Sequence, residues 1–100
     1  LRTHTRAAVI WATTTPVNDA LAHESHARLD DVDRYDADVR AFNAAAVEVA
    51  RAMDVPVNDL YAVVARGDQA AWQTADGIHY TPEGYAVLAR AVADSIRPYL

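Results

Sequence analysis

Ala7-Ala8-Val9-Ile10-Trp11-Ala12, closed by Thr13-Thr14-Thr15-Pro16, is the stretch on which the fold turns. Its apolar residues run without interruption instead of alternating with polar ones. A strand with one wet face alternates, whereas an unbroken run between polar flanks fits a strand covered on both faces, as in parallel sheets. A buried helical segment has a similar composition, but this run is short and Pro16 closes it, which favours the strand. Val55-Pro56-Val57-Asn58-Asp59 reads as a second short strand, with proline near its beginning, where it is tolerated.

Between the two strands, Val32, Tyr35, Val39, Phe42, Ala46, Val49 and Met53 recur at alternating steps of three and four, one apolar stripe on a helix of about five turns. Asp30, Asp31 and Asp33 at its entry suit the positive end of the helix dipole, and Pro56 prevents continuation beyond about Asp54. The segment from Val17 to about Asp31 is predicted to be a long polar connection. After the second strand, Asn58 or Asp59 caps a short helix over Leu60-Tyr61-Ala62-Val63-Val64-Ala65 that ends at Gly67. Asp68 to Ala75 reads as a loop carrying Trp72, which either lines a cleft or covers a sheet edge. The last helix starts at Thr81 as N-cap with Pro82 at its first position. Tyr80 and Tyr85 form a hydrophobic staple across that start. Tyr85, Leu88, Ala89, Val92 and Ile96 make its buried stripe, and Pro98 stops it.

The resulting order is strand, helix, strand, short helix, loop, helix, an α/β arrangement. Two parallel strands do not make a stable sheet alone, so further strands are expected from a missing segment or another chain. The chain opens on Leu1-Arg2-Thr3-His4-Thr5-Arg6 with a buried strand following almost at once, and is expected to begin in mid-domain.

Composition narrows the function. The 100 residues are 52% hydrophobic, enough for a packed core and against disorder. Net charge is −5, with no basic run, which argues against a nucleic-acid surface. All nine basic residues are Arg. With no Cys there is no disulfide, thiolate metal site or cysteine nucleophile. No stretch approaches the roughly 18 apolar residues of a membrane span, and no localisation signal is legible.

Chemistry concentrates at Asp76-Gly77-Ile78-His79, just before the last helix. A serine hydroxyl needs a neighbouring base to take its proton, and histidine titrates near neutral pH. A carboxylate accepting the ring's Nδ1–H fixes the tautomer that leaves Nε2 as the base. Asp76 is near enough in sequence to serve His79 in this way, with Gly77 easing the turn. An accidental Asp-x-x-His is common in a chain with eleven Asp and four His, and a surface pair capping a helix is the plain alternative. His23-Glu24-Ser25-His26 is a partial metal pattern of the sort usually found solvated.

Taken with its surroundings, Asp76-Gly77-Ile78-His79-Tyr80-Thr81-Pro82-Glu83-Gly84-Tyr85 resembles the last block of the SGNH, or GDSL-type, esterases and lipases. Trp11-Ala12-Thr13-Thr14-Thr15-Pro16-Val17 is similar to that family's strand entering the active-site rim. Arg34-Tyr35 and Phe42-Asn43 fall where many members carry the following helix, and Val57-Asn58-Asp59-Leu60-Tyr61 is similar to their last strand and its exit. The likeness spans the chain from Ala7 onward. It implies the C-terminal half of a flavodoxin-like three-layer α/β/α sandwich with parallel strands. It also implies Asp76 as orienting acid and His79 as general base of a serine triad, acting on a small-molecule or carbohydrate ester without metal or organic cofactor. The family's Gly-Asp-Ser block and Gly-x-Asn-Asp block are absent. Glycine occurs only at 67, 77 and 84, and serine only at 25 and 95. Ser95 lies roughly 24 Å along the last helix from His79, and Ser25 has no glycine beside it. The nucleophile is therefore expected from a missing N-terminal half of the same domain. The alternatives are a non-catalytic module keeping the fold, or an unrelated flavodoxin-like half-domain whose Asp76 and His79 merely cap a helix.

Overall fold

In the computed structural model, which describes residues 6–26 and 34–100, strands β1 (Trp11–Ala12) and β2 (Val57–Asn58) pair in parallel, Trp11 opposite Val57 and Ala12 opposite Asn58. Both apolar runs thus enter a parallel sheet, but each contributes only two residues instead of five or six. The fold is a helix-rich mixture built on this short two-stranded sheet. Among the described residues no further strand joins it.

Five α-helices carry the rest: α1 (Asp19–His26), α2 (Asp36–Ala52), α3 (Leu60–Ala65), α4 (Gln69–Trp72) and α5 (Pro82–Ile96), followed by a 3₁₀ turn over Arg97–Tyr99. Two differ from the sequence expectation. The connection after β1 contains α1, whose start is marked by Asn18, its side chain accepting from Leu21 N–H at 3.2 Å. The loop carrying Trp72 contains α4, capped by Asp68, which accepts from Ala71 N–H. In both, an Asx residue satisfies a first-turn N–H that has no partner within the helix.

Helix α2 begins at Asp36, later than expected, and Val32 and the acids at 30, 31 and 33 lie outside the described residues. Tyr35 at its N-cap gives no side-chain bond, so the cap is tertiary: Asp19 of α1 accepts from Asp36 N–H at 2.7 Å. The helix ends through Met53 and Asp54, the latter left-handed at φ 55°, with Pro56 following.

Side-chain alternation places α2 and α5 against opposite faces of the sheet. Trp11 lines a groove with α2, whereas Asn58, of opposite parity to the Trp11 partner Val57, donates to Ser95 Oγ and Ala91 O of α5. Neither apolar stripe is buried as expected. On α2 the inward residues are Asn43 and Ala50, while Phe42, Val49 and Met53 are more than half exposed. On α5, Gly84 is buried and Val87, Leu88, Ala91 and Ser95 are half-buried, leaving Tyr85, Ala89, Val92 and Ile96 to solvent. The reason is width: two strands about 4.8 Å apart do not cover helices about 10 Å across. The core is correspondingly small, with Val17, Ala22, Ala50, Val64 and Tyr80 its buried apolar residues.

Candidate functional site

The approach to α5 is built from short-range devices that the sequence spells out. Thr81 caps the helix by accepting from Gly84 N–H, and Pro82 occupies the first turn. Buried Tyr80 meets Tyr85 edge-on, ring centroids 6.0 Å apart, closing the staple. Gln73 and Tyr80 form an antiparallel bridge flanked by Thr74 N–H to His79 O and Thr81 N–H to Trp72 O. Residues 74–79 are therefore a loop clamped at both ends. Gly77 sits at its apex with φ 70°, and a Cβ there would press on Asn18 O and Leu21. Its carbonyl accepts from Asn18 N–H, which docks the loop onto the start of α1.

Within this loop the two oxygens of Asp76 divide their work. Oδ1 accepts from Thr74 Oγ1 and Ile78 N–H, both at 2.8 Å, and from His79 N–H at 2.9 Å. Oδ2 lies 2.5 Å from His79 Nδ1. One oxygen fixes the backbone and the other fixes the ring. Partial burial works to raise the Asp76 pKa, but these donors, the imidazole first among them, outweigh it and hold the carboxyl well below the usual range. Asp76 is thus ionised at any working pH and can only accept, so the proton of the contact sits on Nδ1. That leaves the Nε2 lone pair free. No other described group hydrogen-bonds the ring, and the side chain is 68% exposed. The arrangement can take a proton from a group brought to Nε2 and stabilise the resulting imidazolium through Asp76.

Residues 13–17, which leave the C-terminal end of β1, run beside this loop. Every step is tied down. Thr13 Oγ1 donates to Asp59 and accepts from Tyr61 N–H. Thr14 exchanges two hydrogen bonds with the Asn43 side chain, at 2.8 and 2.9 Å. Pro16 O accepts from the buried Gln73 Nε2 at 2.8 Å. Val17 N–H donates to Asp36 Oδ1, while Asp36 Oδ2 accepts from Tyr61 OH at 2.6 Å and pairs with Arg40. Desolvation and this bond to Asp36 push the Tyr61 phenol up to about 12. A cleft of about 260 Å³, to which Thr15, Arg34, Tyr35, Asp38 and Ile78 contribute, opens between this segment, α2 and the His79 loop.

Sequence reasoning picked out Asp76 and His79 and missed the groups that anchor the rim, namely Asn43, Asp36 and Gln73. Asn43 carries a signal, being a poor helix former amid alanines in mid-helix; Gln73 carries none. The serines stand apart from the pair: Ser25 Oγ donates to Ala22 O, and Ser95 Oγ donates to Val92 O while accepting from Asn58. Trp72 does not line the clefts described; its ring lies on Gly67, where a Cβ would collide with it. His23 and His26 sit on α1, and no group of three or more potential metal ligands occurs among the described residues. No helix there is long and apolar enough to cross a membrane.

The chain matches no protein-family model, no curated protein and no solved structure.

Proposed function

We propose that this chain supplies the acid and base of a serine ester hydrolase of the SGNH type, as the C-terminal half of a flavodoxin-like α/β/α sandwich. The observation that carries the reading is the Asp76–His79 contact: a carboxylate oxygen 2.5 Å from Nδ1, with its other oxygen held by three donors and Nε2 open to solvent. A pair that merely capped α5 would spend its acceptor on first-turn N–H groups; here Thr81 does that work.

In the reaction, a serine from a segment outside these residues approaches Nε2. The imidazole takes the hydroxyl proton as Oγ attacks the ester carbonyl, and Asp76 stabilises the imidazolium. The imidazolium then protonates the departing alcohol. Water, deprotonated by the same nitrogen, hydrolyses the acyl-enzyme and restores serine. The likely-charged partner groups in each step belong to His79 and Asp76 alone, and no cofactor enters the proposal. Resemblance favours small acylated alcohols or acetylated carbohydrates as substrates.

The test is esterase activity toward p-nitrophenyl acetate. The chain alone is expected to hydrolyse no faster than free imidazole. In a serine-bearing assembly, turnover is expected to fall by about 10⁶-fold for His79→Ala. Triad-like turnover by the chain alone, or an assembly indifferent to His79→Ala, would overturn the proposal.

A further inference from the structure

The largest concavity among the described residues lies away from His79. It is a groove of about 500 Å³ between the sheet and α2, lined only by apolar residues, among them Val9, Trp11, Phe42, Val49, Met53 and Val55. It contains no titratable group, so it offers nothing to orient a polar substrate. What borders it is a strand edge. Trp11 and Thr13 donate to Pro56 O and Asn58 O of the neighbouring strand. Since alternate N–H groups of a parallel strand point to the same side, Ile10 and Ala12 address the opposite edge, where no described strand pairs with them.

An edge of this kind beside an apolar groove fits an extended segment, whose backbone joins the ladder while every second side chain fills the groove. A docked helix would leave the edge groups without partners. The area agrees. The chain exposes 7087 Å², about 1,500 Å² more than a folded monomer of its mass, whereas one side of an ordinary stable interface takes about 800 Å².

We infer that the free edge of β1 and the α2 groove dock one further β-strand, parallel to β1, apolar toward α2, and belonging to the polypeptide that delivers the serine. The identity of the occupant rests on the functional reading above. A second copy of this chain adds only another Ser25 and Ser95 and leaves the base without a nucleophile. A parallel strand, by contrast, ends on the side where residues 13–17 meet the His79 loop, the side on which open α/β sheets carry their sites.

The experiment uses the intact chain, ¹⁵N-labelled, and the synthetic peptide acetyl-Lys-Thr-Val-Thr-Val-Thr-Val-Ser-amide. Saturable shifts at Ile10 and Ala12 amides, with at least tenfold slower hydrogen exchange there, are expected at millimolar peptide. A peptide with its central Thr replaced by Pro, unable to complete the ladder, should leave both amides unmoved. Trp11→Glu and Met53→Glu, each checked for native circular dichroism, should weaken binding at least tenfold. Shifts located elsewhere, or an equal response to the proline peptide, would overturn the inference. So would sedimentation as a dimer with Ile10 and Ala12 already protected, which would make a second copy the occupant. These amide signals do not depend on His79, so loss of the esterase reading and loss of the docking strand are told apart by His79→Ala.

Discussion

The His79 loop and the α2 groove are finished to different degrees. In residues 72–81 almost every polar atom has a partner, supplied from within a few positions or from the adjoining α1 and β1 segments. Across the groove, Phe42, Val49 and Met53 stand more than half exposed beside a strand edge with no described neighbour. Hydrogen-bonded loops close through local geometry, whereas apolar helix faces need a surface as wide as themselves. A chain can therefore carry a complete acid–base pair while its core is only partly covered.

The sharpest way to break this contrast is to disable the pair and leave its scaffold. Asp76→Asn keeps the shape of the side chain but removes its charge and lets the ring adopt the other tautomer. In a serine-bearing assembly this is expected to lower turnover by about 10⁴-fold with the fold retained. Kinetics alongside circular dichroism checks both halves; unchanged turnover would remove Asp76 from the proposed mechanism.

The rim offers the next effect. Tyr61→Phe deletes the bond to Asp36, whose other oxygen holds Val17. A hydrogen bond to a charged group contributes about 1.5–3 kcal/mol, and urea unfolding near neutral pH is expected to show a loss of that order. The phenol's folded pKa, about 12, lies above its ordinary 10.0, so the folded state binds this proton more tightly. The stabilisation is full below pH 10 and is lost as pH rises from 10 towards 12. Tyr61→Phe should flatten that alkaline decline; an unchanged slope would mean that another group causes it.

A smaller loss, about 1 kcal/mol, is expected for Thr81→Ala, which removes the cap of α5. Slower catalysis should accompany it, because the cap stands two residues from His79. Equal stability of the two proteins in urea would show that Thr81 does not hold this helix start.

How much was legible in the sequence follows the same division. Thr81, Pro82, Tyr80 and Tyr85 could be read because each acts within four or five residues, and so could Asp59, which caps α3 by accepting from Ala62 N–H. The Asp76–His79 contact was legible for the same reason. Helices α1 and α4 were not: their periodicity is weak, and only the caps Asn18 and Asp68 announce them. The inward faces of α2 and α5 were misjudged because an apolar stripe records what a helix can bury, not what is beside it to bury against. Asn43, Asp36 and Gln73 act across 29, 19 and 57 positions on the 14–17 segment, separations at which a single sequence carries no pairing signal.

The finest test compares neighbours on α2. Val49 is 59% exposed and Ala50 only 6%, although periodicity alone would favour Val49 as the buried one. Val49→Gln should change stability of the chain by no more than about 0.5 kcal/mol, as for ordinary surface positions. Ala50→Gln forces a longer polar side chain against the sheet and should cost at least the 1–3 kcal/mol typical of overpacking. Adding the strand-bearing partner changes only the first result, since the groove is then filled and Val49 gains apolar contacts that glutamine cannot replace. If both substitutions cost the same in the chain by itself, α2 already turns its full stripe inward, and the groove beside β1 has no room for a strand.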